Sequence, residues 1–416
     1  MLGSENGVHP LGLGRLVGSG PNPSRWGARR RRSHNPPPSP ATFAFVFRPA
    51  GYGQPVDLDS LINVADFERV AAERLDAGAL GYFAGGAGDE RTLRDNVAAW
   101  GRWRLRPRVL VDVSGVSTRT EILGAPVSMP VGVAPVAFQR LADPDGEVAM
   151  ARAAAEAGTV FTLSTIATAR PSEVAAGAPD GRRWFQLYCF RDQAITRSLM
   201  DEAIDSGFEA IVVTVDAPRA GRRERDFRTG FQVPADVTVP SLDAALGGDR
   251  PVSVQEVFAQ IDPTLSWPDL EDLASECSVP VLVKGIQTHE DATLAIKHGA
   301  AGVVVSNHGG RQLDGVDATA DLLPEIVEAV DGRGAVFVDG GIRRGTDVVI
   351  ALALGADAVL VGRPALWGLT VAGQAGAERV LGLLRSELEL ALTLCGCVAP
   401  EAVGRSHVQR PLTPPS

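Results

Sequence analysis

The sequence predicts an α/β fold, a (β/α)8 TIM barrel with N-terminal helices and a long loop after strand four. Three observations carry this reading. Beyond residue 130, eight short runs rich in β-branched residues each precede a stretch of helical character. Their starts lie 22–34 residues apart, except for one interval of 69. The runs are nearly continuous in apolar residues, as strands are when helices cover both faces of a parallel sheet. Eight such units in about 250 residues fit a closed barrel. An open doubly wound sheet is the alternative. Its usual Gly-rich turn after the first strand is missing, because Val131-Gly132-Val133-Ala134-Pro135 runs straight into Val136-Ala137-Phe138-Gln139.

The elements follow in order. Residues 1–55 are rich in Gly, Pro, Ser and Arg, with an arginine run at 29–32 and a proline run at 36–38. Such a composition buries too little apolar surface to order itself, so a disordered basic tail is expected, followed by one barrel domain over 56–416. Asp66 to Leu75 and Glu90 to Trp100 show helical amphipathic spacing and are expected to plug the bottom or the rim of the barrel. The strands are expected at Val131–Pro135, Val160–Thr165, Trp184–Tyr188, Ala210–Asp216, Val279–Ile286, Ala301–His308, Ala335–Gly341 and Ala358–Arg363. The long interval holds an insertion, roughly 224–268, polar and punctuated by Pro and Gly, which reads as a loop or lid over the mouth.

Composition narrows the class of protein. The 416 residues are 45% hydrophobic and 22% charged, ordinary for a soluble globular chain. No run approaches the ~18 apolar residues of a membrane span. Four cysteines, Cys189, Cys277, Cys395 and Cys397, are too few and too scattered for a disulfide framework, and a reducing cytoplasm is expected. Cys395-Gly396-Cys397 offers two thiols without partners, so no metal site is expected. The net charge is −10. The tail carries seven arginines, no lysine and a single acid, Glu5, for a net +6, which leaves −16 on the remainder. An acidic body argues against nucleic acid as a partner. Neither a secretory h-region nor a peroxisomal C-terminal address is legible.

Polar residues gather where the strands end. They are Ser164, Gln186 and Tyr188, Thr214 and Asp216, Lys284, Ser306 and His308, Asp339, and Arg363. Catalytic groups of a barrel sit at these C-terminal strand ends, and buried charge is costly unless paired or used. Asp339-Gly340-Gly341-Ile342-Arg343 after the seventh strand and Gly362-Arg363 after the eighth form a phosphate signature. The glycines let backbone N–H groups approach a phosphate, and the arginines add charge-assisted hydrogen bonds. The sharpest motif is Ser306-Asn307-His308-Gly309-Gly310-Arg311-Gln312-Leu313-Asp314. His308 can act as a general base near neutral pH, and Arg311 can grip a carboxylate with its fork. A base beside a carboxylate clamp suits proton removal from the carbon α to a carboxylate. The other five histidines lack such a context and read as solvated or structural.

These stretches resemble the FMN-dependent α-hydroxy-acid oxidase and dehydrogenase family, which includes glycolate, lactate and 4-hydroxymandelate oxidases. The resemblance runs from about residue 60 to 410. It includes Tyr82 to Ala87, Ala134 to Ala137, Phe185 to Tyr188, Thr214 to Asp216, Gly221 to Arg223, Val283 to Gly285, Ser306 to Asp314, Asp339 to Gly345 and Gly396-Cys397. It implies FMN across the barrel mouth, backed by Pro135, Val136 and Ala137. Ser164, Gln186, Thr214 and Ser306 would hydrogen-bond the isoalloxazine or ribityl chain, with Lys284 beside N1 and O2. Asp339, Gly340, Gly341, Ile342, Arg343, Gly362 and Arg363 would hold the ribityl and phosphate. Tyr82, Arg223 and Arg311 would hold a substrate carboxylate, and Tyr188 would contact the substrate. His308 would take a proton, with Asp216 stabilising the imidazolium.

The resemblance also implies the activity: oxidation of an (S)-2-hydroxy acid to the 2-oxo acid, with oxygen as acceptor and hydrogen peroxide released. A quinone or cytochrome acceptor, or a non-oxidative FMN enzyme such as an isomerase, are the alternatives. A homo-oligomer, tetramer or octamer, follows by analogy alone. Glycolate oxidases carry a Trp in the loop after strand two, where this chain has Ile166. The exchange is expected to widen the pocket toward a larger hydroxy acid.

Overall fold

The structure, a computed structural model, describes residues 56–246 and 254–410. The basic tail over 1–55 and the centre of the insertion lie outside the described residues. Eight parallel strands close a barrel: β1 Val131–Val133, β2 Val160–Ser164, β3 Arg182–Leu187, β4 Ile211–Thr214, β5 Val281–Ile286, β6 Gly302–Val305, β7 Ala335–Asp339 and β8 Ala358–Val361. Each pairs with its neighbours in sequence, and β8 closes on β1 with Val359 opposite Val131. Every one of the eight expected strands is present. Several are shorter at the C-terminal end than expected, because the polar ends turn away into the mouth.

The period of two along a strand organises the interior. Val160, Trp184, Val212, Leu282, Val304, Phe337, Ala358 and Leu360 form one cluster inside the barrel, with Trp184 edge-on to Phe337 at 5.3 Å. Two positions further along the same faces come Gln186, Thr214, Lys284, Ser306 and Asp339, with Ser164 four beyond Val160. The residues that fill the barrel and those that line its mouth therefore share one face. The alternate residues, among them Phe161, Leu163, Phe185, Leu187, Val213 and Val283, belong to the larger core outside the barrel.

The bottom is closed by a hairpin that the sequence reading missed. Thr120–Ile122 pairs antiparallel with Ala125–Val127, and Ile122 and Val127 join the interior cluster. The two expected helices are present as Val64–Arg74 and Arg91–Trp100. The first packs along the C-terminal helix Arg363–Cys395, which is broken at Ala372 and Gly373. The second lies at the rim of the mouth, against the turn that follows β6. A third helix, Ala77–Ala84, carries Tyr82 and was also missed. The insertion is not a plain loop, since it contains the helices Glu224–Thr229, Pro240–Ala245 and Val254–Gln260. Among the described residues no helix is long and apolar enough to cross a membrane.

Candidate active site

A cavity of about 1020 Å3, open mouth included, lies at the C-terminal end of the barrel. Pro135, Val136 and Ala137 form one wall, and Ser164, Gln186, Thr214 and Lys284 line it from successive strand ends. Asp339 to Arg343, Gly362 and Arg363 line it beside the last two strands, and Tyr82, Tyr188, Arg223, His308 and Arg311 complete the lining. Of the residues singled out from the sequence, Asp216 and Ser306 stand directly behind the lining. Asp216 contacts His308, and Ser306 accepts from Lys284 Nζ at 2.9 Å. Phe258, from the insertion, completes the wall beside Tyr188 at 5.9 Å between ring centroids. The sequence offered no signal for it beyond being aromatic. Ile166 lies in the wall as expected.

His308 is held in a strained and specific position. Its backbone is left-handed, with φ 59°. That costs a non-glycine residue roughly 1–2 kcal/mol and persists only where the surroundings enforce it. Its Nδ1 lies 2.9 Å from Asp216 Oδ1. An ionised Asp216 can only accept, so Nδ1 carries the proton and Nε2 presents a lone pair. Burial raises the Asp216 carboxyl, but His308 and Lys284 outweigh it, and the group stays ionised below its ordinary range. Burial pushes the His308 imidazole below its ordinary value; Asp216 pulls it up, and Lys284 and Arg311 push it down further. The imidazole is therefore neutral at neutral pH, as a base must be.

Gly285 makes room for this pair. It sits at a register shift between β5 and β6, with φ 109°. A Cβ there would lie 2.7 Å from Asp216 Cβ and 2.8 Å from its Cγ. Gly285→Ala is expected to displace Asp216 from the imidazole, lowering kcat at least about tenfold and stability by roughly 1–3 kcal/mol. Steady-state rates and thermal melts check this; an unchanged kcat in a folded variant would contradict it.

Three half-buried arginines meet neutral partners. Arg311 donates to Tyr82 O and to Gly85 O. Arg363 donates to Phe83 O, Gly85 O and Gly309 O at 2.9–3.1 Å. Arg343 donates to Ile342 O at 3.0 Å. Burial and the neighbouring Arg223 bring Arg311 down to about 10. Burial, with Arg311 and Arg343, brings Arg363 down to about 9. Such a concentration of positive charge against carbonyls is what an anionic ligand would relieve. Arg311 and Arg223 also lie over the ring of Tyr82, 4.8 and 5.4 Å from its centroid. Phe231 stacks on the same ring at 4.9 Å between centroids.

The residues fit FMN. Gln186 Oε1 accepts from Ser164 Oγ and Thr165 N, each at 3.2 Å, which fixes the amide so that Nε2 is left over. Gln186 Nε2, Thr214 Oγ1 and Asp339 Oδ1 are buried without a protein partner. Buried polar atoms of this kind are ordinarily satisfied, here by a ligand with donors and acceptors of its own. Lys284 Nζ, 3.3 Å from Asp339 Oδ2, keeps its charge, because Asp339 and Asp216 outweigh its burial. Gly340 and Gly341 have φ of 94° and 82°, and a Cβ on Gly341 would lie 1.9 Å from Asn96 O. Only glycine allows the chain to pass there.

A closed barrel with a neutral histidine, a polar strand-end ring and an arginine-flanked glycine loop defines a flavin-nucleotide oxidoreductase. The family profile described as FMN-dependent dehydrogenase matches residues 71–410. The chain belongs to the FMN-dependent dehydrogenase family. It is 46% identical over 354 residues to glycolate oxidase 3 of Arabidopsis thaliana, covering 84% of this chain and 96% of that one. It is 48% identical over 349 residues to an L-lactate oxidase of Nostoc sp., covering 82% and 96%. Among solved structures, mandelate oxidase with (S)-4-hydroxymandelic acid matches with a TM-score of 0.79 at 44% identity, covering 84% and 98%.

Proposed function

We propose that the protein oxidises an (S)-2-hydroxy acid to the 2-oxo acid. One observation carries the reading. A neutral, Asp216-oriented His308 shares a cavity with the guanidiniums of Arg311 and Arg223. FMN, when bound, would supply the two-electron acceptor, with dioxygen as the terminal oxidant and hydrogen peroxide as the second product. Pro135, Val136 and Ala137 would back it, and Ser164, Gln186, Thr214 and Lys284 would satisfy its polar edge, with Ser306 holding Lys284 from behind. Asp339 to Arg343, Gly362 and Arg363 hold its ribityl chain and phosphate.

Arg311, Arg223 and Tyr82 grip the substrate carboxylate. Tyr188, whose phenol burial and Asp216 push above its ordinary range, remains a neutral donor beside it. His308 Nε2 takes the proton, and Asp216 stabilises the imidazolium at Nδ1. The substituent on the substrate's C2 faces Ile166 and Phe258, an apolar wall that favours a substituent larger than hydrogen.

Incubation in air with glycolate, lactate, mandelate and a long-chain 2-hydroxy acid tests the reading. Equal yields of 2-oxo acid and peroxide are expected from at least one of them. Formation of the 2-oxo acid only with an added quinone or cytochrome would overturn the oxygen-linked half. Because His308 lies below its ordinary value of 6.5, flavin reduction is expected to be flat across neutral pH. The rate is expected to fall only on the acid side of that ordinary value, where the imidazole takes a proton. A rate that falls instead toward alkaline pH from neutrality would contradict the role of neutral His308.

The reading places catalysis in residues 56–416, in a homo-oligomer of the cytoplasm, where the four free cysteines are at home. Deleting residues 1–55 is expected to leave activity and Tm unchanged, which enzyme assays and calorimetry check.

A further inference from the structure

The turn that presents His308 is left-handed at three successive residues, with φ of 59° at His308, 63° at Gly309 and 75° at Gly310. Glycine adopts this readily and histidine does not. Gly310 N donates to both the backbone and the side-chain oxygen of Asn307, at 3.0 and 3.2 Å. Asn307 is in turn held from outside the barrel. Asn96, on the helix Arg91–Trp100, exchanges two hydrogen bonds of 2.8 Å with it, amide to amide. Both side chains are buried.

The same residue touches the other loop. Asn96 O is the atom that forbids a side chain on Gly341, and the Asn96 amide lies 3.4 Å from where a Cβ on Gly340 would stand. Asn96 Oδ1 also accepts from Thr319 N at 3.3 Å, and Thr319 Oγ1 donates to Asp339 O. One turn along, Trp100 Nε1 donates to Gly340 O at 2.9 Å. The helix start is capped from the far side of the His308 turn, where Asp314 accepts from Thr92 N at 2.9 Å and Asp89 N at 3.0 Å. The helix thus spans both loops, with Asn96 in contact with each.

We propose that Asn96 is a positioning residue that couples the glycine loop at 340–341 to the turn presenting His308. Its side chain meets the turn at Asn307 and reaches the loop through Thr319, whose hydroxyl holds Asp339 O, while its backbone oxygen packs against Gly341. A side-chain change at Asn96 acts on the imidazole through Asn307 and on the cofactor loop through Thr319. The inference rests on the roles given above to His308 and to the loop at 339–343.

Asn96→Asp keeps the size of the side chain but lacks the Nδ2 donor and sets a carboxylate oxygen against Asn307 Oδ1. FMN release from the diluted holoenzyme, followed by flavin fluorescence, is expected to quicken at least fivefold. Flavin reduction at saturating substrate is expected to slow at least tenfold, and its acid limb to move. Substrate affinity is expected to change less than threefold, because Arg311 is anchored separately on Tyr82 O and Gly85 O. Asn307→Asp, which keeps the acceptor for Gly310 N, carries the same test from the other side of the pair if the first variant does not fold.

A folded variant of either kind with wild-type FMN release, reduction rate and pH profile would overturn the proposal. So would a lowered Tm with all three unchanged, which is the mark of a merely structural residue. If His308→Ala reduced flavin at the wild-type rate, the reading beneath the proposal would fall, whatever the Asn96 variants did.

Discussion

Replacing His308 by alanine is expected to leave FMN bound and to slow flavin reduction on the order of 10^3-fold, the usual contribution of a positioned general base. The separation of the two effects follows from the geometry. The polar ring of Gln186, Thr214, Lys284 and Asp339 and the glycine loop before Arg343 do not depend on the imidazole. The proton of the substrate does, because Nε2 is the free lone pair of a residue whose Nδ1 is engaged by Asp216. Alanine keeps the left-handed strain of a non-glycine residue at this position, so the variant is not expected to gain stability from the backbone. Rapid mixing without oxygen reads the chemical step alone. A reduction rate within tenfold of the wild type would remove His308 from the chemistry.

Arg311→Lys is expected to lower kcat/KM by roughly 10^2-fold, close to 3 kcal/mol of lost transition-state binding. Two losses combine. The planar fork proposed to meet both carboxylate oxygens is gone, and a lysine replaces it with a single point of charge. The site also acts against the charge itself. It already holds the arginine down at about 10 through burial and Arg223. A lysine, with its lower ordinary value, would be driven toward neutral pH and partly discharged. The loss is therefore expected to be larger at alkaline pH than at neutral pH. An unchanged kcat/KM would show that the carboxylate is held elsewhere.

Much of the site was legible because strand residues alternate. Once Trp184 and Phe337 are taken as barrel-filling residues, Gln186 and Asp339 follow on the same face two positions later, and the mouth can be read strand by strand. What was missed does not follow that period. Ala77–Ala84 is apolar nearly throughout, small residues with Leu80, Tyr82 and Phe83, so it shows no polar face to set off a stripe, yet it delivers Tyr82. The hairpin at Thr120–Val127 is six paired residues around Leu123 and Gly124, too short for a periodic signal, and Pro126 within it reads as a break. Phe258 reaches the cavity from the helix Val254–Gln260, whose placement only tertiary packing defines. Asn96 lies within the amphipathic stretch Glu90 to Trp100, and nothing local distinguishes an exposed asparagine from one paired with Asn307. Asp314, visible in the His308 motif, turned out to cap the helix Arg91–Trp100 across more than two hundred residues of sequence.

The most direct test of the central claim is to mix the holoenzyme with a panel of 2-hydroxy acids in the absence of oxygen and follow the absorbance of the oxidised flavin. The arrangement of His308, Asp216 and Arg311 predicts full bleaching by at least one (S)-2-hydroxy acid, with one equivalent of 2-oxo acid formed per flavin and no bleaching by the (R)-enantiomer. A bound flavin that none of the acids bleaches would contradict the account.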